Sequence, residues 1–328
     1  MAAGEPKPER VPLTRIYLLI LLTIAIWGGT PVAGKLAIRD IPPMTVGLLR
    51  YGLASLILVA LCSRELPSRP ALRRQDVWTI AGLGIFGTFL NHILFFLGLV
   101  FAPASHGAIL APTTSPIWTM LLAAWFGQER ITRDQIIGTA VCIVGVALVV
   151  RPGGLAGAGG AGVLLGDLFF ILGGLAWGIY QFLCLVAMRR LSGLTSLAYG
   201  MVVGCALLVP LAMVERPGRA LANAPFPAWG SVLYISLAGT VLAFFWWNLA
   251  IQRVGAGRTA VFTNLVPVSG VLLSWWVLGE RLSLIQLVGG LLTVGGVWVC
   301  QGPAAMLAAW RQARVRIGGV EIPETGKR

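Results

Sequence analysis

The segment SPIWTMLLAAWFGQERITRDQIIGTAVCIVGV, residues 115–146, recurs in skeleton as VPVSGVLLSWWVLGERLSLIQLVGGLLTVGGV, residues 266–297. The positions that match at a spacing of 151 residues are Pro116 with Pro267, Trp125 with Trp276, Glu129-Arg130 with Glu280-Arg281, Gln135 with Gln286, Gly138 with Gly289 and Gly145-Val146 with Gly296-Val297. Self-similarity at one fixed spacing indicates a duplicated fold. Because both copies are strongly apolar, the duplication is typical of a membrane transporter whose substrate site lies between two related halves.

The composition of the whole chain agrees with a membrane protein. Of its 328 residues, 57% are hydrophobic, 11% are charged and 42 are glycine. A soluble domain needs more charge to cover its surface, whereas lipid favours apolar exteriors and closely packed helices accommodate glycine. The net charge of +13 comes from basic residues between the apolar runs. This is the pattern of membrane orientation, so we expect the lipid bilayer as a partner and no nucleic acid.

Neither cysteines nor short motifs indicate a cofactor. The five cysteines fall within apolar runs and never approach CxxC spacing, so neither a metal site nor a disulfide framework is expected. The sequence has no GxxxxGK[ST] run to cradle a nucleotide phosphate. We therefore expect no cofactor and no direct use of ATP.

The sequence predicts an all-α integral membrane protein with ten transmembrane helices arranged as two inverted five-helix repeats. A helix needs roughly 20 apolar residues to cross about 30 Å of hydrocarbon. Ten stretches qualify: 14–36, 44–62, 77–99, 104–127, 132–150, 163–188, 194–214, 228–251, 256–279 and 282–301. The predicted organisation is a tail 1–13, a first repeat 14–151, a Gly/Ala-rich linker 152–162, a second repeat 163–301 and a basic tail 302–328.

The distribution of basic residues predicts the orientation of the helices. With the N-terminus inside, 18 Lys and Arg lie in cytoplasmic segments and five in outer segments. Both termini are therefore expected in the cytoplasm, and the chain is expected in the cell inner or plasma membrane. Since each repeat has an odd number of spans, the second copy is inverted. Glu129-Arg130 should lie at the inner surface and Glu280-Arg281 at the outer one.

The chain resembles the EamA family of the drug/metabolite transporter superfamily over roughly 16–301. The residues that carry the resemblance are Trp27-Gly28, Lys35, Arg50, Gly87-Thr88, Pro116, Glu129-Arg130, Trp177-Gly178, Gly239-Thr240, Pro267 and Glu280-Arg281. The resemblance implies a ten-helix carrier or exporter of amino acids and other metabolites. It also implies a central cavity lined by helices 1, 3, 4, 6, 8 and 9.

Polar and aromatic side chains on those helices are the candidates for a substrate pathway, which needs hydrogen bonds that lipid-facing positions cannot use. They are Trp27, Thr30, Asn91, His92, Phe95, Thr113, Trp177, Tyr180, Gln181, Trp247, Asn248 and Asn264. Each also has an ordinary interpretation: a membrane histidine such as His92 commonly bonds a neighbouring helix, and threonines commonly bond back to their own helix. Both interpretations stay open at this stage.

Glycines and prolines within the spans are the candidates for gating. Gly28, Gly29 and Pro31 interrupt helix 1, and Pro116 and Pro267 are expected to kink helices 4 and 9 at equivalent positions. The alternative for each is a packing kink without a role in motion.

Charged residues within the spans need a partner or water, because a charge near a helix centre costs about 2.5–3.5 kcal/mol. We expect Lys35 to reach toward the outer headgroups. For Arg50, an inward role and a structural partner stay open, and Asp167 could pair with Arg50 or Lys35 or meet water. We count Asp167 and His92 as the groups within the spans that could relay protons.

These features favour a secondary transporter, an exporter of small metabolites such as amino acids, that works by alternating access. The alternatives are a membrane-embedded enzyme, for which the spans lack clustered carboxylates or a nucleophile with its base, and a carrier of larger amphipathic compounds or nucleotide derivatives. We expect no enzymatic activity and a small-molecule substrate. A homodimer is left open.

Overall fold

The chain is almost wholly helical. A computed structural model describes residues 13–63, 73–126, 131–150, 160–188, 190–254, 259 and 262–300, and these ranges contain no β-strand. The long helices are α1 Leu13–Ala37, α2 Pro43–Ser63, α3 Arg74–Phe101, α4 Ala104–Trp125, α5 Arg133–Val150, α6 Gly160–Ala187, α7 Gly193–Val214, α8 226–254, α9 Thr263–Leu278 and α10 Leu284–Cys300. The prediction of an all-α chain is confirmed.

Seven of these helices are long and apolar enough to cross a membrane. They are α1, α2, α3, α5, α6, α7 and the part of α8 up to Trp247, whereas α9 and α10 are shorter apolar helices. Large apolar side chains point outward from the bundle, among them Trp125 at 87% exposure and Leu291 at 70%. Lipid accepts such a surface, whereas water disfavours extensive apolar exposure. The chain is thus a multi-pass membrane protein.

Equivalent capping boxes begin α5 and α10. The Gln135 side chain accepts from the Thr132 N–H at 2.8 Å while the Thr132 hydroxyl accepts from the Gln135 N–H at 3.3 Å. Gln286 and Ser283 repeat the pair at 3.0 and 3.3 Å. Each box satisfies backbone donors that the first helical turn leaves unpaired, which explains why glutamine recurs at both positions.

The glycines of the repeated segment bring α5 and α10 into backbone contact. A Cβ at Gly138 would lie 2.5 Å from the Gly296 carbonyl oxygen, and one at Gly145 would lie 2.6 Å from that of Gly289. Residue numbers therefore increase along α5 in the direction in which they decrease along α10, so the two helices run antiparallel. Gly138 meets the repeat equivalent of Gly145, and Gly145 meets that of Gly138, which makes the contact self-complementary, as across a two-fold axis.

A second pair of close contacts also relates the two halves. A Cβ at Gly28 of α1 would lie 2.9 Å from the Ser269 Cβ of α9, and a Cβ at Gly178 of α6 would lie 2.7 Å from the Trp118 Cβ of α4. Gly28 and Gly178 each follow a tryptophan, and Ser269 lies 151 residues after Trp118. The same close approach thus occurs twice, each time between a helix of one half and a helix of the other.

Both α3 and α8 contain a π-helical segment, in which the turn is one residue wider than in an α-helix. The segments are Gly84–Leu90 and Tyr234–Leu242. In the second, the Thr240 hydroxyl donates to the Ile235 carbonyl five residues earlier at 2.8 Å. Each segment contains one Gly-Thr pair, Gly87-Thr88 and Gly239-Thr240. Such π segments frequently mark functional positions in helices.

The structure differs from the sequence predictions in three places. Helix α6 begins at Gly160, so the last residues of the predicted linker are helical, while residues 151–159 lie outside the described part. Pro267 does not kink the middle of a helix: it follows the 3₁₀ turn Thr263–Leu265 and sits in the first turn of a helical segment, where a missing N–H costs nothing. Glu129-Arg130, which the sequence predicts at the inner surface, lies outside the described residues.

Lys35 is the third difference. Its ammonium group donates to the Leu99 and Ala102 carbonyl oxygens at the C-terminal end of α3 rather than reaching away from the protein. Those carbonyls have no partner within the helix, and the end of a helix attracts a cation. Lys35 therefore joins α1 to α3.

Candidate functional site

A cavity of about 60 Å³ lies between α2, α3, α6, α7 and α8. A cavity of this volume can hold a small number of water molecules. It is lined by Arg50, Tyr51, Leu83, Gly87, Thr88, Asn91, Trp177, Tyr180, Leu197, Gly200, Met201, Thr240 and Phe244. Both halves of the chain contribute. Helices α2 and α7, which the family resemblance does not imply as lining, supply five of these side chains or glycines, and α1, α4 and α9 supply none of them.

Arg50 is the only charged residue on the described walls of the cavity. Its Nε donates to the Thr240 hydroxyl at 3.1 Å, and its guanidinium carbon lies 4.8 Å from the Tyr51 ring centroid. The Thr240 hydroxyl gives its own proton to the Ile235 carbonyl, so it can only accept from Arg50. The π segment of α8 therefore fixes the orientation of the guanidinium.

Three of the predicted pathway residues line this cavity: Asn91, Trp177 and Tyr180. The Trp177 and Tyr180 rings lie one helical turn apart on α6 with centroids separated by 4.7 Å. Asn91 donates through Nδ2 to the Gly173 carbonyl at 3.2 Å, which leaves its Oδ1 as an acceptor. The cavity thus combines one cation, one amide and an aromatic wall.

Trp27 and Trp247 form a layer behind the cavity. The Trp27 ring lies 5.6 Å from that of Phe244, which lines the cavity, and 5.0 Å from that of Trp247. Trp27 also donates through Nε1 to the Gly239 carbonyl at 3.1 Å. That bond joins α1 to the π segment of α8.

The remaining predicted residues of α1 lie within the bundle, where Gly29 contacts α8. Thr30 donates back to the Ile26 carbonyl at 3.3 Å, and the Tyr234 hydroxyl donates to the same oxygen at 2.9 Å. A Cβ at Gly29 would lie 2.4 Å from the Tyr234 hydroxyl. Pro31 is buried inside α1, which is helical on both sides of it.

His92, Phe95 and Thr113 do not line the cavity. His92 is buried and bonds the Pro43 carbonyl through Nε2 at 3.0 Å, so it joins α3 to the start of α2. Phe95 packs against Phe170 with centroids 5.4 Å apart. Thr113 donates back to Ile109 of its own helix at 2.5 Å. For His92 and Thr113 these are the ordinary interpretations described above.

The last predicted residues also lie apart from the cavity walls. Gln181 and Asn264 are half-buried, Asn264 in the 3₁₀ turn that precedes Pro267, and Pro116 is half-buried inside α4. The side chain of Asn248 lies outside the described part of the structure.

A buried cluster that the sequence reasoning missed joins α4, α6 and α10. Asp167 does not pair with Arg50 or Lys35, because its Oδ1 lies 2.7 Å from Nδ1 of His106. His106 was not among the proton-relay candidates that the sequence indicated. The other ring nitrogen of His106 lies 3.0 Å from Nε2 of Gln286. His106 and Asp167 each lie near the start of a span expected to begin on the same membrane side. That placement is the signal that could have revealed the pair.

Comparison with known proteins identifies the family. The model of the EamA-like transporter family matches residues 14–151 and again residues 164–300. The chain belongs to the EamA-like transporter family. The family model thus occurs twice, once in each of the two segments that carry the repeated skeleton. The sequence resemblance is confirmed.

Relatives of this EamA-like protein are described as transporters. The chain is 31% identical to a probable terminal-alkyne amino-acid exporter of Streptantibioticus cattleyicolor, over 87% of this chain and 93% of that protein. It is 29% identical to the uncharacterized transporter YyaM of Bacillus subtilis, over 88% and 93%. It is 25% identical to a probable amino-acid metabolite efflux pump of Escherichia coli, over 92% and 98%. A solved crystal structure with 21% identity shares the fold, with a TM-score of 0.59 over 90% of this chain and 97% of that one.

Proposed function

We propose that this EamA-like protein is a secondary transporter that exports small metabolites, amino acids or related compounds, across the cell inner membrane. One observation carries the proposal: a cavity with polar and aromatic walls lies where the two halves of the chain meet. Two relatives described as probable exporters or efflux pumps of amino-acid compounds support the choice of cargo. In this proposal the protein moves its cargo unchanged and is not an enzyme.

The proposed architecture has ten transmembrane helices in two inverted repeats, 14–151 and 163–301, with both termini in the cytoplasm. The antiparallel contact between α5 and α10, which are equivalent helices, supports inversion of the second copy. The paired contacts of Gly28 with α9 and Gly178 with α4 support a two-fold relation between the repeats. The distribution of Lys and Arg supports the cytoplasmic termini.

Alternating access explains why the π segments lie at the cavity. They place the Gly-Thr pairs of α3 and α8 on its walls or beside them, and such π segments frequently lie at functional positions. Rocking of one half against the other would open the cavity to each side in turn. The proposal needs a single copy of the chain, and a homodimer is not required.

The test is a comparison of metabolite levels in cells with and without the protein, followed by flux in proteoliposomes for each compound that differs. An exporter lowers the cellular level of its substrate and raises the level outside. Equal levels in both strains, together with no protein-dependent flux, would remove the proposal. Repeating the flux with a pH gradient imposed and then collapsed tests proton coupling, since a proton-coupled carrier must respond.

The pathway residues can be tested by single cysteines at Thr113, Gln181 and Asn264. If these positions line a water-filled route, a water-soluble thiol reagent reaches them from at least one side of the membrane. If all three cysteines are protected from both sides, these positions are excluded from the pathway. The pathway is then limited to the residues that line the cavity.

A further inference from the structure

We propose that Arg50 is the carboxylate-binding residue of the cavity and that the substrates are small carboxylates. Among these, α-amino acids with an apolar or aromatic side chain are the first candidates. This inference rests on the proposed transport function and adds the chemical class of the cargo. It derives from four features of the described cavity: its charge, the fixed orientation of Arg50, the free acceptor of Asn91, and the aromatic wall.

The cavity carries an uncompensated positive charge. No acidic side chain lies on its described walls, and in the described residues no ion pair forms with Arg50. A cation inside a membrane protein is costly unless it meets water or an opposite charge. Water in the cavity would solvate the Arg50 guanidinium. A ligand that displaces this water must stabilise the guanidinium in its place, and a negative charge on the ligand does so. Ligands without an anionic group lack that charge.

The guanidinium is oriented before any ligand arrives. Its Nε donates to Thr240, whose own proton is committed to the Ile235 carbonyl. The two Nη groups find no acceptor among the described residues, and neither is a buried unpaired atom. Arginine binds a carboxylate best through two parallel N–H donors. The free edge of Arg50 therefore presents that geometry to a ligand.

The other walls fit the rest of an amino acid. Asn91 commits Nδ2 to the Gly173 carbonyl and keeps Oδ1 as an acceptor for an ammonium group. The faces of Trp177 and Tyr180 attract both a cation and an apolar side chain. Leu83, Leu197, Met201 and Phe244 complete an apolar wall. The cavity is smaller than such a ligand, so the surrounding helices must separate when it binds.

The decisive test uses four probes on the unmodified protein: L-phenylalanine, L-phenylalaninamide, phenethylamine and 3-phenylpropionate. Competition against flux of labelled L-phenylalanine in proteoliposomes reports each affinity. A charge-assisted pair to Arg50 predicts that both carboxylates compete roughly ten- to a hundredfold better than the amide or the amine. Competition by the amide or the amine as strong as that of L-phenylalanine would overturn the inference while leaving the transport function intact. Absence of protein-dependent flux of labelled L-phenylalanine would instead count against the proposed function for this cargo.

Variants then assign the effect to Arg50. Arg50→Gln should bring the affinities of L-phenylalanine and its amide to within a few fold of each other, and Arg50→Lys should keep part of the preference because it keeps the charge. Thr240→Val removes the hydroxyl that orients Arg50, whereas Thr240→Ser keeps it, so the preference should fall in the first and persist in the second. The unfolding temperature in detergent identifies a variant that fails to fold. If an Arg50 variant fails, the comparison of Thr240→Val with Thr240→Ser tests the role of Arg50 instead. Undiminished preference for carboxylates in both Arg50→Gln and Thr240→Val would exclude Arg50 as their ligand.

Discussion

At the scale of single residues, the buried His106–Asp167 pair shows how placement in the fold determines what an ionisable group can do. Both side chains are buried, and Asp167 Oδ2 has no partner among the described residues. Glu280 lies close by, accepting from the Ala104 and Ser105 N–H groups at 2.8 Å each at the start of the same helix as His106. A carboxylate at that position is stabilised by the positive end of the helix dipole.

Asp167→Ala is predicted to destabilise the protein because it leaves His106 Nδ1 buried without its acceptor. The loss should be about 1–3 kcal/mol, seen as a lower thermal unfolding temperature in detergent. Asp167→Asn is the matched control, since its amide oxygen can still accept from the ring. Equal unfolding temperatures for the alanine variant and the unmodified protein would contradict this role.

The residue scale is also where the sequence predicted least. Asn91, Trp177 and Tyr180 could be assigned to the cavity because they are polar or aromatic on helices with a recognised role. The orientation of Arg50 depends on Thr240, 190 residues away, and no periodicity in the sequence encodes that contact. Thr113 and His92 were equally plausible pathway residues by residue type. The Thr113 hydroxyl instead bonds a backbone carbonyl of its own helix, and His92 bonds one at the start of α2.

At the scale of helices, the sequence predicted nearly all of the segments, because a span of sufficient apolar length has few alternatives to a helix in lipid. It did not predict the two π segments, since Gly-Thr pairs alone do not distinguish a wide turn from a regular one. It did not predict the contribution of α7 to the cavity either. Gly200 and Met201 carry no polar signal, and their place on the wall follows from packing.

The contact between α5 and α10 makes a prediction with an adjacent control. A Cβ at Gly296 would lie 2.6 Å from the Gly138 carbonyl oxygen and the Cys142 backbone nitrogen, whereas one at Gly295 would meet nothing within 4 Å. Gly296→Ala should therefore force the helices apart and cost about 1–3 kcal/mol, while Gly295→Ala should be neutral or slightly stabilising. Unfolding temperatures of the two variants check this. Similar values for both would mean that the two helices do not meet along this face.

At the scale of the whole molecule, the repeat makes a prediction about sidedness. Glu129-Arg130 and Glu280-Arg281 are equivalent by sequence, and inversion of the second repeat places them on opposite membrane faces. Single cysteines at Arg130 and Arg281, in a background without the five native cysteines, should react with an impermeant thiol reagent from the inside and from the outside respectively. Labelling of both from one side would mean that the repeats are parallel.

In the proposed mechanism, one cavity shared by the two halves opens alternately to each side of the membrane. Its most direct test is a single cysteine at Leu197, an apolar position on the cavity wall, in the same cysteine-free background. An impermeant thiol reagent is applied separately to right-side-out and inside-out vesicles, with and without L-phenylalanine. Labelling is expected from both sides and should be slowed by substrate in each case. Labelling from one side alone under every condition, or from neither, would contradict it.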